Sequence, residues 1–430
     1  MASHIKVALL GDSITVRNFG GQYAPYIRNT AIGIWNWVNW LVGSPFVFRN
    51  FGLSGDLIAG IAARSSNIPA DIKVVFLLGG INDIAFGVAS AVSIFSTLQS
   101  LVDNLAASGK YVLISTVLPH NSLTAPQLAR LLELNGYIRT MRNAYVIDGF
   151  AFMGGSVITG ACNANYMNTD NIHPTALGAQ VFGLGAMTAG RLCALANTYN
   201  TSPFETYDVV DKTYSGFRTG TNGTLGQVTA PCTGVAPDGW QLYRVAGANV
   251  ANMSLAPFVV NTTFLNQPSV GVSENTLTMT AATSALGDTY SALILGNFGD
   301  VGSLDGCVTA GSLFYCEADL EIVSGAVQSL SVFGKSYFTQ GAAAVDQVSW
   351  HGAGLVSSEG GTTADSASAA QNLLPARYLV RGGVSRVPEN LNGTVAIQTN
   401  YGVTAVLGAG GAVVRMSRPR LYVKNSEELT

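Results

Sequence analysis

Charge is scarce in this chain. Only 11% of its 430 residues are Asp, Glu, Lys or Arg, against 48% hydrophobic, a balance that excludes a disordered, highly charged polymer. Basic residues form no stripe: the first 200 positions carry 11 Lys/Arg against 8 Asp/Glu, and the remainder 11 against 17. Nucleic acid is therefore not an expected partner. No run approaches the roughly eighteen apolar residues that cross a bilayer, and Gly11 and Asp12 interrupt the apolar stretch ending at Leu10. Neither a membrane span nor a signal peptide is expected, and the chain reads as soluble. Cysteine is sparse too. Cys162, Cys193, Cys232, Cys307 and Cys316 match no zinc or redox spacing; they read as buried thiols, with Cys307 and Cys316 as an alternative disulfide pair. No motif calls for a metal or organic cofactor.

What remains is a chain long enough for two domains. In the first part, short apolar runs alternate with longer segments of helical spacing. Lys6–Leu10, Phe46–Phe48, Val74–Leu78, Tyr111–Ser115 and Tyr145–Ile147 read as five strands. Helices are expected over Ile27–Leu41, Val88–Leu105, Gln127–Met141 and Ala176–Leu195, with Asn135 a polar exception on its apolar stripe. Trp35, Trp37 and Trp40 cannot share one helical face, so at least one is expected at a surface or contact. The alternation predicts a parallel five-stranded sheet between two helical layers, a three-layer αβα sandwich with its binding crevice beyond the carboxyl ends of the strands.

The chemistry-bearing residues fall on that edge. Ser13 follows the first strand in Gly11-Asp12-Ser13-Ile14, and Asp170-Asn171-Ile172-His173-Pro174 precedes the last helix. A serine hydroxyl becomes a useful nucleophile when an imidazole accepts its proton, and a carboxylate fixes the imidazole tautomer. Serine, histidine and aspartate in these positions therefore point to ester hydrolysis. Asp12 and Asp83 read as loop-bracing carboxylates. His120, after the fourth strand, is a candidate substrate contact or a solvated loop histidine; Arg17, just after Ser13, is a candidate for an anionic or sugar substrate or an exposed structural arginine.

Taken together, Gly11-Asp12-Ser13-Ile14-Thr15, Asn50-Phe51-Gly52-Leu53-Ser54-Gly55-Asp56, Gly80-Ile81-Asn82-Asp83 and the Asp170–Pro174 block resemble the signature blocks of the SGNH, or GDSL-like, hydrolases. The likeness covers about residues 5–195, with Ile14 in place of the family's leucine. It implies the flavodoxin-like SGNH fold, Ser13 as nucleophile, His173 as general base and then acid, and Asp170 as its orienter. It also implies an oxyanion hole from the backbone N–H groups of Ser13 and Gly55 and the side-chain amide of Asn82, leaving Gly52 as a turn glycine.

The pattern changes after residue 196. A domain of residues 1–196, a linker over 197–205 and a β-rich module over 206–430 are expected. Short β-branched and aromatic runs include Leu255–Val260, Thr276–Thr280, Ala292–Leu295, Leu313–Ile322, Leu330–Phe333, Val395–Gln398 and Val413–Val423, and turn residues punctuate them as in an antiparallel sandwich. Glu317, Asp319 and Glu321 alternate with apolar residues as a solvated strand face should, and Ser357–Ala370 reads as a long loop. Pro237-Asp238-Gly239-Trp240 looks like the start of a strand in jelly-roll modules that bind carbohydrate. Trp240, Tyr243, Trp350 and Tyr378 are candidates for sugar stacking or aromatic core.

The resulting expectation is a serine esterase acting on O-acetyl groups of a carbohydrate, with the β module holding the glycan or joining copies of the chain. The alternatives are a lipase- or thioesterase-like acyl hydrolase, and a phage tail or surface attachment protein that binds glycan. Without a leader, export would need a leaderless route or assembly into a virion.

Overall fold

The computed structural model describes residues 5–20, 28–188, 227–228, 232–234, 240–261, 271–294, 313–340, 343–352, 371–381, 385–386 and 395–424. The expected linker, the Ser357–Ala370 tract and Cys193 and Cys307 lie outside them. Two compact units divide the chain: Met1–Phe19, Ala31–Phe204 and Thr362–Ser368 in one, and Gly20–Thr30, Glu205–Gly361 and Ala369–Thr430 in the other.

The first unit is built on five parallel strands, β1 (Ile5–Gly11), β2 (Phe46–Gly52), β3 (Val74–Leu78), β4 (Tyr111–Ser115) and β5 (Tyr145–Ile147). Their order is β2-β1-β3-β4-β5. Every residue of β3 is buried, as befits an almost unbroken apolar run covered on both faces. Gly11 pairs with Gly52 on one side and with Leu78 on the other. Three strand ends thus stop level, and the loops after them share one edge. β2 runs four residues past its expected end because β1 continues to pair with it through Gly52.

Among the described residues, eight α-helices accompany the sheet: α1 (Ser13–Val16), α2 (Ile34–Leu41), α3 (Ile58–Arg64), α4 (Ile81–Ala85), α5 (Ala91–Ala107), α6 (Ala125–Arg139), α7 (Gly149–Phe152) and α8 (Ala176–Thr188). Ser90 caps α5 by accepting from the Ser93 N–H, and Gln127 accepts from the Thr124 N–H at the start of α6, both common ways to satisfy the first turn.

Helix α2 departs most from expectation. It begins at Ile34, not Ile27, because Arg28–Asn29 are extended and Gly33 is extended at the cap. All eight of its residues are buried, including Trp35, Trp37 and Trp40, so none of these three reaches the surface and each lies in a packing contact. The reason is a partner on more than one side. Trp35 packs on Phe76 of β3 at 5.0 Å between ring centroids and on Phe182 of α8 at 5.4 Å. Gly183 of α8 lies so close to Trp37 that an added Cβ would stand 2.8 Å from the Trp37 Cβ. Asn39 of this buried helix is paired with the sheet: its amide bonds both the N–H and the carbonyl of Phe46 at 3.0 Å. Each tryptophan removes about 150–250 Å² from water, on the order of 5 kcal/mol by area.

Among the described residues the second unit is all-β, and its main strands pair antiparallel. Its main strands are β6 (Trp240–Ala246), β7 (Asn252–Asn261), β8 (Gly271–Ala281), β9 (Thr289–Ile294), β10 (Leu313–Gln340), β11 (Ala343–Gly352), β12 (Ala376–Arg381) and β13 (Val395–Lys424). The order β6-β9-β13-β8-β7 forms one path, and β10 pairs with β11, β12 and β13. Two pairs of expected strands fuse into the long β10 and β13. Residues that resemble turn punctuation, Gly325, Gly410 and Gly411, sit inside these strands at positive φ, and β10 shifts register against β13 around 322–329. Bulges have replaced turns.

The expected solvated face of β10 is also corrected. Ala318, Leu320 and Ile322 are buried, but so is Asp319. Neighbouring strands supply cations: Arg377 Nη2 lies 3.8 Å from Asp319, and Arg415 Nη1 lies 3.1 Å from Glu321. Tyr378 is fully buried, which makes it core and not a sugar platform; the side chains of Trp240, Tyr243, Trp350, Glu317 and Cys316 lie outside the described residues. Cys162 and Cys232 are free thiols. Among the described residues no helix is long and apolar enough to cross a membrane.

Asn135, the polar exception in α6, is fully buried and clamps Val117, accepting from its N–H at 2.8 Å and donating to its carbonyl at 2.9 Å. Asn135→Leu should lower the unfolding free energy by about 2–5 kcal/mol, because two buried backbone groups lose their partners together. Urea denaturation of the two proteins checks this; an unchanged midpoint would contradict it.

Candidate active site

Strand β1 ends in a sharp change of direction. Asp12 is extended (φ −101°, ψ −151°) and its carboxylate accepts the Ile14 N–H at 3.0 Å. That bond caps α1, a single turn closed by Val16 N–H to Asp12 O and Arg17 N–H to Ser13 O. Ser13 is thereby held at the first helical position, at the carboxyl end of the strand. Burial pushes the Asp12 carboxyl up to about 7, against the hydrogen bonds from the Ile14 and Asp12 N–H groups that favour its charge.

The Asp170–His173 loop is wound on its own carboxylate. Asp170 Oδ1 accepts from the N–H groups of Ile172 and His173, each at 3.0 Å. Its Oδ2 lies 2.6 Å from His173 Nδ1. Asn171 takes φ +63°, a conformation asparagine tolerates better than most side chains. His173 Nε2 then stands 2.7 Å from Ser13 Oγ, across 160 residues of sequence. Burial raises the Asp170 pKa, but the hydrogen bonds from the His173 ring and from the His173 and Ile172 N–H groups outweigh it and hold the carboxyl well below its usual range. Arg17 Nη2 lies 3.8 Å from Asp170 Oδ2 and its side chain is 19% exposed. This arginine therefore faces the carboxylate and is not a freely exposed one.

The other two loops meet at Asp56. Gly55 has φ +77°, which favours glycine. The Asp56 carbonyl accepts from the Asn82 amide at 2.9 Å, and Asn82 is buried at the start of α4 behind Gly80 at φ +106°. Asp83 braces the same region by accepting the Ile58 N–H at 3.0 Å. Gly52 is not a turn glycine. It is the last residue of β2, and a Cβ there would stand 2.9 Å from the Val16 N and 3.1 Å from the Asp12 O; glycine permits the two chains to pass.

Arg64 escapes any reading of local motifs. From the end of α3 its guanidinium bonds the Asp56 carboxylate, the Gly11 carbonyl at 2.9 Å and the Phe51 carbonyl at 3.3 Å. One cation thus ties the ends of β1 and β2 to the Gly55 loop. His120 is also corrected: it is 5% exposed, not solvated. Its neighbour Asn121 donates its backbone N–H to the Asn171 carbonyl at 3.1 Å, which places the loop after β4 against the Asp170–His173 loop.

A parallel sheet with this arrangement at its carboxyl edge can be compared with known proteins. The model of the GDSL-like Lipase/Acylhydrolase family matches residues 9–181. No curated protein matches the chain. Among solved structures, a G-D-S-L lipolytic family member from Veillonella parvula DSM 2008 is 21% identical, covering 43% of this chain and 97% of its own, with a TM-score of 0.34. An acetylxylan esterase from Geobacillus stearothermophilus is 18% identical, covering 44% and 94%, with a TM-score of 0.36.

Because the Asp12 pKa rises from 3.8 to about 7 on folding, the folded chain keeps a proton that the unfolded chain has released between those values. The associated stability is complete below about pH 4 and is lost as pH climbs through 7, at most about 4 kcal/mol in all. Asp12→Asn keeps an oxygen for the Ile14 N–H and removes the ionisation. Its stability relative to wild type should therefore rise between pH 4 and pH 7.5; urea midpoints at both pH values test this, and a constant difference would contradict it.

Proposed function

We propose that the domain is a serine esterase working through an acyl-enzyme on Ser13, and that its preferred substrates are O-acetyl esters of carbohydrates. The observation that carries the first part is the hydrogen-bond chain from Ser13 Oγ to His173 Nε2 at 2.7 Å and from His173 Nδ1 to Asp170 Oδ2 at 2.6 Å. Asp170 keeps the proton on Nδ1 and leaves Nε2 as the base. Ser13 Oγ attacks the ester carbonyl as its proton passes to His173 Nε2. The carbonyl electrons move onto oxygen, which is met by the N–H groups of Ser13 and Gly55 and by the Asn82 amide, whose other hydrogen bond goes to the Asp56 carbonyl. When the oxyanion collapses, the bond to the alcohol oxygen breaks and that oxygen takes the proton from His173. A water repeats the sequence on the acyl-enzyme and releases the carboxylic acid.

The carbohydrate part of the proposal rests on the presence, in the same chain, of a separate β unit beside the catalytic motifs in sequence. A second reading, hydrolysis of longer apolar acyl chains, is favoured by one observation. Leu53, Phe86, Val157 and Ile158 are 53%, 64%, 72% and 81% exposed, and they lie in loops that follow β2, β3 and β5 on the catalytic edge.

A p-nitrophenyl ester series from acetate to octanoate, run on wild type and Ser13→Ala, tests both parts. Activity should vanish to background in Ser13→Ala with its circular dichroism unchanged, and kcat/KM should fall steeply beyond propionate. Retained activity in a folded Ser13→Ala would reject the nucleophile; a rise with chain length would replace the acetyl reading by the apolar one.

A further inference from the structure

His120 is buried, yet only part of its ring is used by the fold. The Ser122 N–H donates to His120 Nδ1 at 3.2 Å. A backbone amide can only donate, so Nδ1 is an acceptor and the proton of the neutral ring sits on Nε2. Nε2 has no protein partner among the described residues, and it is not among the buried atoms sealed from water without one. A donor of fixed tautomer is therefore left facing outward from a side chain that is only 5% exposed.

The loop that carries it is held at several points. Asn135 clamps Val117 on both backbone groups. The His120 N–H goes to the Gly160 carbonyl at 3.0 Å, the Asn121 N–H to the Asn171 carbonyl at 3.1 Å, and the Asn121 side chain accepts the Cys162 N–H at 2.9 Å. Such support is what a positioned contact needs and a solvated loop lacks. Burial lowers the His120 pKa; Asp170 opposes that shift and His173 adds to it. The ring thus stays neutral beside the reacting pair, which also places it within electrostatic range of both.

Sheet order says which half of an ester it meets. The proposed oxyanion donors come from loops after β1, β2 and β3, while His120 follows β4, on the far side of β3 from β2, against the His173 loop. His173 is the group that returns a proton to the departing alcohol oxygen in the mechanism above. We infer that the Nε2–H of His120 holds the alcohol half of the ester, selecting acceptors that carry a further oxygen close to the ester oxygen, as sugars do. The inference rests on the esterase reading and names what that site prefers; His120 is a specificity-determining residue of it.

Two acetates with alkoxide leaving groups separate the ideas: methyl 6-O-acetyl-glucoside, which offers neighbouring oxygens, and n-butyl acetate, which does not. Both are assayed with wild type, His120→Phe and His120→Gln, with circular dichroism as the check on folding and p-nitrophenyl acetate as the check on ester hydrolysis. In His120→Phe the ratio of kcat/KM for glucoside over butyl ester should fall about tenfold, carried by KM, and His120→Gln, which keeps an amide donor, should recover part of it. Should His120→Phe not fold, His120→Ala supplies the same ratio. An unchanged ratio in a folded variant overturns the inference, as does an equal loss on both esters. Wild type that cleaves p-nitrophenyl and butyl acetates but not the glucoside also overturns it while leaving the esterase reading intact; no hydrolysis of any of the three overturns both.

Discussion

The carbonyl of Gly11, at the last position of β1, accepts two hydrogen bonds, one from the Leu53 N–H at 3.1 Å and one from Arg64 Nη2 at 2.9 Å. The rest of the site depends on them. They join the residue before the Asp12–Ser13 turn to the start of the Gly55 loop, and through the Arg64–Asp56 pair they join that loop to Asn82. A hydrogen bond from a charged donor contributes about 1.5–3 kcal/mol, and here it also sets geometry between segments that are far apart in sequence. Ser13 can meet His173 only if the end of β1 is fixed, and the proposed oxyanion pocket is useful only if Gly55 and Asn82 keep their spacing from Ser13.

The level ending of β1, β2 and β3 supplies the second constraint. Gly11, Gly52 and Leu78 lie side by side, so the three following loops rise from one line. Close passage of β2 past the Ser13 turn requires Gly52 to lack a side chain. Behind this edge, Trp35 on Phe76 and the Asn39 clamp on Phe46 fix α2 to the sheet. Packing, backbone pairing and site geometry are parts of one arrangement.

Much of this was legible in the sequence where the signal is local. The ends of β3, β4 and β5 match the apolar runs Val74–Leu78, Tyr111–Ser115 and Tyr145–Ile147 residue for residue, and Asp170 reaches His173 within one loop. What escaped depends on distant partners. Arg64 meets Gly11 across 53 residues, and nothing around either position announces the other. The burial of Trp35 and Trp37 draws on α8 covering a face that periodicity alone assigns to solvent. In the β unit, Gly325, Gly410 and Gly411 look like turns because bulges and turns use the same residue. Asp319 looks solvated until a neighbouring strand brings Arg377 beside it.

The central claim is that Ser13 forms the acyl-enzyme, and covalent trapping tests it most directly. The protein is treated with an ethyl fluorophosphonate, digested and mapped by mass spectrometry. The account predicts one phosphonyl group per chain, on Ser13, with labelling abolished in His173→Ala. A folded protein that takes no label, or one that is labelled at a different residue, would contradict it.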